Sequence, residues 1–202
     1  AEMIRGGTTT YCDMYYFEDA VADETKKAGV RAVLGETILD FPAPDNKTWD
    51  AGLAYTERFI KKWQNDPLIV PAVAPHAPYT VSQEHLLEAR DLSNKLKAPL
   101  VIHLAEAQTE TDFIKQKYDG QRPVGFMDKI GFFNERTIAG HVIQVNDTEL
   151  DILKRNDVGI AHCPEGRRVF PYLTVRENLE MGAFVRRDHA AVKSDMERIF
   201  VK

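Results

Sequence analysis

LIVPAVAPHAPYTVSQEHLLEARDLSNKLKAPLVIHLAE, residues 68–106, carries the reading of the fold. It opens on an apolar run, Leu68 to Pro75, and closes on a second, Pro99 to Glu106. Neither run alternates polar with apolar residues, so each reads as a strand covered on both faces, as parallel sheets require. Between them Ser82 opens a helical stretch, SQEHLLEARDLSNKL, with Glu84 close behind it. Parallel neighbours cannot be joined by a tight hairpin and need a crossover of this length, so the segment reads as one strand–helix–strand unit.

The same alternation extends in both directions. Upstream, TTTYCDMYY (8–16) follows Gly6-Gly7 and suits a pleated surface. A helix over FEDAVADETKKAGV comes next, with Lys26 and Lys27 in its last turn and Gly29 as its cap. RAVLGETIL (31–39) reads as a buried strand, and Trp49, Leu53, Phe59, Ile60 and Trp63 mark an amphipathic helix capped by Thr48. Downstream, helical stretches run to about Tyr118 and from Pro123 to Ile130, before a strand at RTIAGHVIQV (136–145). DTELDILKRN reads as a helix capped by Asp147 or Thr148, VGIAHCP (158–164) as a strand, TVRENLEMG as a helix and AFVRR as one more strand. Repeated β-α units fit a doubly wound sheet or a (β/α)8 barrel. No GxGxxG or GxxxxGK[ST] follows the first strand, which removes support from the common nucleotide-binding sheets. No linker or low-complexity segment interrupts residues 1–202, so a single α/β domain is expected.

Composition narrows the function. With 26 Lys+Arg against 31 Asp+Glu the net charge is -5, which gives no footprint for nucleic acid or an anionic membrane. No apolar run approaches the ~20 residues that span a bilayer. Cys12 and Cys163 are far apart with no CxxC spacing, which argues against a disulfide framework or a thiolate zinc site. AEMIRGG lacks the layout of a signal peptide, so a reducing cytoplasm is the expected setting.

The histidines are the more informative pattern. In a parallel barrel, chemistry collects at the C-terminal ends of the strands. Four of the six histidines fall at such ends: His76, His103, His141 and His162. Glu106 follows His103 by three residues, a spacing that sets His103 in the mouth and Glu106 on the loop above it, suited to a metal ligand beside a proton-transfer carboxylate. A lone histidine near a strand end is more often structural, but four in successive units are harder to assign so. His85 lies on a helix face and reads as solvated, and His189 has no strand-end context. Adjacent strand residues point to opposite faces, so His162 and Cys163 are poorly placed as a nucleophile pair. Cys12 reads as a small core residue.

VAPHAPYT (73–80), VIHLAE (101–106), AGHV (139–142) and AHCPEG (161–166) resemble four successive strand-end motifs of the amidohydrolase superfamily, and GGTTTYCDMYYFED (6–19) resembles its second strand. The nearest branch is the 5-methylthioadenosine/S-adenosylhomocysteine deaminases with their chlorohydrolase-type relatives, matched in order over about residues 1–165. The resemblance implies a TIM-type (β/α)8 barrel and hydrolytic deamination of a small aminopurine-type substrate. It implies His103 as a metal ligand, Glu106 as the general acid/base, His141 as a catalytic histidine that orients water or substrate, and His76 as a substrate contact. The metal would be zinc, or another divalent ion such as iron or manganese, if the site is complete.

Departures from the family pattern shape the expectation. The family's first strand carries an H-x-H pair, and no H-x-H occurs in this sequence. The barrel is therefore expected to be incomplete, its first strand absent and the chain a fragment or deletion variant with impaired activity. The family's metal-binding Asp sits in a GTDG-like turn on the eighth strand. Here Asp188 in FVRRDHAA is the candidate metal ligand, unless residues from Ala183 onward match a later part of the pattern. Glu165-Gly166-Arg167 stands where the family tends to have Ser-Asn, and Glu36 where some relatives place a substrate-binding arginine, so the substrate stays open. The competing reading is a non-catalytic binding or assembly module whose barrel is completed by a partner chain. A homo-oligomer is expected in either case.

Overall fold

A computed structural model describes residues 2–5 and 7–161, together with Ser194. After a short turn of helix, α1 (Glu2–Arg5), the elements alternate as β1 (Thr10–Tyr15), α2 (Glu18–Ala28), β2 (Arg31–Ile38), α3 (Trp49–Trp63), β3 (Ile69–Pro75), α4 (Gln83–Leu96) and β4 (Leu100–Leu104). They continue as α5 (Gln108–Lys117), α6 (Pro123–Lys129), β5 (Thr137–His141), α7 (Asp147–Arg155) and β6 (Gly159–Ala161), all within the compact unit Ala1–His162.

The six strands form one wholly parallel sheet in the order β1-β2-β3-β4-β5-β6. That order separates the two architectures left open by the alternation. A doubly wound sheet reverses its strand order to place helices on both faces. Strands added one after another by right-handed crossovers put every helix on the same side, leaving the other face to curl inward. The fold is an incomplete TIM-type α/β barrel, with six parallel strands among the described residues.

Local chemistry explains the element ends. Gly29 caps α2 in the left-handed conformation at φ 72, and the side chains of Thr48 and Ser82 accept the backbone N–H groups of Ala51 and His85 at the starts of α3 and α4. The cap of α7 is Asn146 rather than Asp147 or Thr148. The Asn146 side chain accepts from Glu149 N, and the Glu149 carboxylate accepts the Asn146 N–H in return. β5 is shorter than the run 136–145, because His141 (φ 69) and Val142 (φ 52) take left-handed backbone and end the strand. The expected TVRENLEMG helix and AFVRR strand, with His162 and Cys163, lie outside the described residues.

Two layers of side chains hold the arc together. Between sheet and helices lies the main core, where Leu86, Leu100, Ile102, Leu104, Ile114, Phe126 and Phe132 are almost wholly buried. Beside it Leu34 and Ile69 meet Phe59 and Trp63 of α3. The inner face of the sheet packs more sparingly, with Met14, Ala72, Ala74 and Val101 in contact and Val33 and Ile138 against them. Cys12 belongs to this inner face by register, yet it is exposed rather than a core residue. Its neighbours toward the N-terminal ends of the strands are also open, Val70 being 46% exposed.

The inner face has no room to spare at Gly35. A Cβ there would stand 2.6 Å from Ala74 Cβ on the adjoining strand. Gly35→Val is expected to destabilise the fold by about 1–3 kcal/mol through overpacking. Urea unfolding followed by circular dichroism measures this, and an unchanged midpoint would mean that β2 and β3 can part without cost.

Candidate functional site

Four sequence-predicted residues converge at the C-terminal ends of β3, β4 and β5. His103 lies on the inner face near the end of β4, between His76 just beyond β3 and His141 at the end of β5. The His103 ring centroid stands 5.0 Å from that of His76 and 5.2 Å from that of His141. Glu106 completes the group, its Oε1 3.6 Å from His141 Nε2. Asp188, the other predicted ligand, lies outside the described residues.

Backbone geometry brings these side chains together. His103 N donates to His76 O, which continues the β3–β4 ladder past the last paired strand residue. By register His103 faces inward opposite Gly140, and a Cβ on Gly140 would lie 3.4 Å from His103 Cδ2. The glycine of the AGHV motif thus leaves room for the His103 ring, a role that motif spacing alone did not reveal. Strand alternation would send His141, next to Gly140, toward the helices. The left-handed backbone at His141 and Val142 accompanies the opposite placement, with the ring over the strand end. Ala105, also left-handed at φ 53, makes the corresponding turn that precedes Glu106.

The electrostatics favour neutral imidazoles. Burial, reinforced by His76 and His141, lowers the His103 pKa to about 4, and burial also lowers that of His76. A neutral imidazole retains the lone pair that a metal or a proton needs. His76 Nδ1 and Thr80 Oγ1 share a hydrogen bond of 2.8 Å, while the Thr80 hydroxyl donates to Ala77 O. This contact fixes the orientation of the His76 ring. The loop after His141 is held by a partly buried ion pair. Arg122 Nε donates to Glu149 at 2.6 Å, and Arg122 Nη2 donates to Gln144 O at 2.7 Å.

Between the loop after β3 and the start of α5 lies a surface pocket of about 240 Å³, lined by Tyr79, Glu106, Ala107, Thr109, Glu110 and Phe113. Its walls pair apolar rings with carboxylates beside the histidines. Among the described residues, no three His, Cys, Asp or Glu side chains are arranged to hold a metal ion. His85 is not simply solvated: its ring stacks on Trp49 at 4.3 Å and Nδ1 pairs with Asp40 at 2.7 Å, so it is a structural residue of α4.

The sequence model of the amidohydrolase family matches residues 1–199. The chain belongs to the amidohydrolase family. Among curated amidohydrolase relatives, 5-methylthioadenosine/S-adenosylhomocysteine deaminase of Syntrophobacter fumaroxidans is 43% identical over 165 residues, 82% of this chain and 37% of that protein. The 5'-deoxyadenosine deaminase of Methanothrix thermoacetophila is 41% identical over 165 residues, 81% of this chain and 38% of that protein. Of solved structures, an adenosine deaminase from Xanthomonas campestris with bound zinc superposes with a TM-score of 0.78 at 37% identity, over 81% of this chain and 37% of that one. This amidohydrolase chain therefore spans well under half the length of the relatives it matches. No helix among its described residues is long and apolar enough to cross a membrane.

Proposed function

We propose that this chain carries part of the active site of a hydrolytic deaminase acting on 6-aminopurine nucleosides of the 5-methylthioadenosine and S-adenosylhomocysteine class. The observation that supports the reading best is the position of Glu106. Its carboxylate stands 3.6 Å from His141, whose ring neighbours the half-buried His103, at the mouth of the barrel. The relatives named for these substrates add to it.

In this reading water adds to the purine carbon that bears the amino group, Glu106 takes a proton from that water, and it returns the proton to the amino nitrogen. The carbon–nitrogen bond then breaks, ammonia departs and a 6-oxo purine remains. Proton transfer by a positioned carboxylate suits this sequence. His141, 3.6 Å from the Glu106 carboxylate, orients the water or the developing oxygen, and His76 contacts the substrate. The rings of Tyr79 and Phe113 offer an apolar wall to the ligand beside Glu106.

A divalent metal, zinc or its iron or manganese counterparts, would acidify water at such a site. His103 is suited to be one ligand, whereas the described residues do not complete the three that a catalytic zinc needs. Asp188 is the further ligand proposed from the sequence. A homo-oligomer in the cytoplasm is the setting we infer.

The test combines two measurements on the purified protein carrying this sequence. Ammonia release is followed with methylthioadenosine, S-adenosylhomocysteine and 5'-deoxyadenosine, and bound metal is quantified after zinc loading. Ammonia release from at least one nucleoside supports the deaminase. No ammonia release from any of the three rejects it, and the absence of stoichiometric metal as well favours a binding module completed by another chain.

A further inference from the structure

Glu110 is a buried carboxylate that the proposed chemistry does not use. It lies in the first turn of α5 and is only 5% exposed. Its two oxygens are each engaged by a separate backbone donor: Ala105 N donates to Oε1 and Glu106 N donates to Oε2, both at 2.9 Å. A carboxylate that accepts two N–H groups in a dry environment makes stronger bonds than neutral partners would. It also fixes the peptide planes on either side of Ala105, the residue held at φ 53 where a non-glycine residue is strained.

The other side of the same turn is also tied. The Ala105 carbonyl accepts Ile143 N at 2.9 Å and Gln144 N at 2.7 Å, from the loop that follows His141. Val142 N, in that loop, donates to Leu104 O at 3.0 Å. One buried turn thus joins the segment bearing Glu106 to the segment bearing His141, and the Glu110 carboxylate clamps its N–H side. Helix capping alone does not describe this contact. Ala107, the cap residue of α5, has no side-chain hydrogen bond to the helix; its N–H also faces the Glu110 carboxylate, and the bonds from Ala105 N and Glu106 N reach past it to the preceding turn.

We propose that Glu110 is a positioning residue that sets the distance and orientation of Glu106 relative to His141 by clamping the left-handed turn at Ala105. The proposal rests on the deaminase reading only for its consequence in catalysis; the clamp itself is independent of it. Glutamine at this position keeps the size but offers one acceptor oxygen, and it turns an NH2 group toward a backbone N–H.

Two readouts test the clamp. In the full chain, amide hydrogen exchange by NMR is compared between wild type and Glu110→Gln. Protection at Ala105 and Glu106 is expected to fall by about tenfold or more, with Leu100, Ile102 and Ile114 unchanged, because a charge-assisted bond is lost locally. Unchanged protection at Ala105 and Glu106, or equal loss through β4 and α5, overturns the proposal. The second readout is ammonia release, where Glu110→Gln is expected to lower kcat about tenfold with KM little changed, since substrate contacts remain while the acid/base carboxylate is displaced. A fall in KM-dependent binding with kcat intact overturns the positioning role. If the wild-type protein releases no ammonia, the deaminase reading fails, and the exchange comparison still decides the clamp.

Discussion

Glu106→Gln is expected to lower the rate of ammonia release by about 10²–10⁴-fold while leaving the fold intact. Two features of the site combine to give that outcome. The Glu106 side chain is 36% exposed at the mouth, so its replacement by an isosteric amide disturbs little packing. Its backbone N–H is held by Glu110, so the amide occupies the same place as the carboxylate. What is lost is the ability to take a proton from water and return it to the leaving nitrogen. The loss should appear in kcat and kcat/KM alike, because the interaction belongs to the transition state rather than to the bound nucleoside. Steady-state ammonia release, with circular dichroism as a control for folding, measures it. Activity within a few-fold of wild type would remove Glu106 from the chemistry.

Glu36→Gln is expected to raise stability at alkaline pH, by several kcal/mol near pH 9 at the slope of about 1.4 kcal/mol per pH unit that one proton gives. Glu36 is fully buried in β2, where its carboxyl accepts Glu18 N and Asn46 Nδ2 and lies close to the Asp45 carboxyl. Like charges so placed, away from water, favour a proton on one of them. Burial, followed by Asp45 and Glu18, pushes Glu36 up to about 9, and burial followed by Asp13 pushes Glu18 up to about 8. Tyr55 on α3 feels the same negative charge, and burial with that charge raises it to about 12. A carboxyl whose folded-state pKa lies above its unfolded value binds more protons folded than unfolded. Stability is therefore full below the unfolded value near 4.5 and declines as pH rises toward 8 to 9, by about 1.4 kcal/mol per pH unit for each proton involved. Glutamine keeps the donor permanently and removes the Glu36 share of that slope. Urea midpoints from pH 5 to pH 9 test this. Parallel curves for wild type and variant would show that Glu36 is already ionised in the folded protein.

The parallel α/β class was legible because the apolar runs at 68–75 and 99–106 lack alternation and are separated by helices. Periodicity could not choose between a doubly wound sheet and a barrel, since both use the same local units. The choice lies in the strand order, which depends on contacts between residues far apart in the chain. Element starts were legible where a side chain caps its own helix, as at Thr48 and Ser82. The cap of α7 was misplaced by one residue because Asn146, Asp147 and Thr148 are all competent acceptors, and only the reciprocal contact with Glu149 selects among them.

The site divides in the same way. Strand-end position marked His76, His103, Glu106 and His141 as candidates, since that position follows from hydrophobic runs that a sequence displays. Glu110 and Gly140 were not marked. A carboxylate that clamps a turn and a glycine that leaves space for a ring have no local signature, because each is defined by a neighbour across the fold. By itself the sequence determined the β-α alternation and the family to which those motifs belong. Only the tertiary structure decided that His141 departs from strand alternation to meet Glu106, and that Glu18, Glu36 and Asp45 form one cluster of carboxyls. Backbone dihedrals and desolvation produce those two results, and both arise from packing between segments rather than from the order of residues within one.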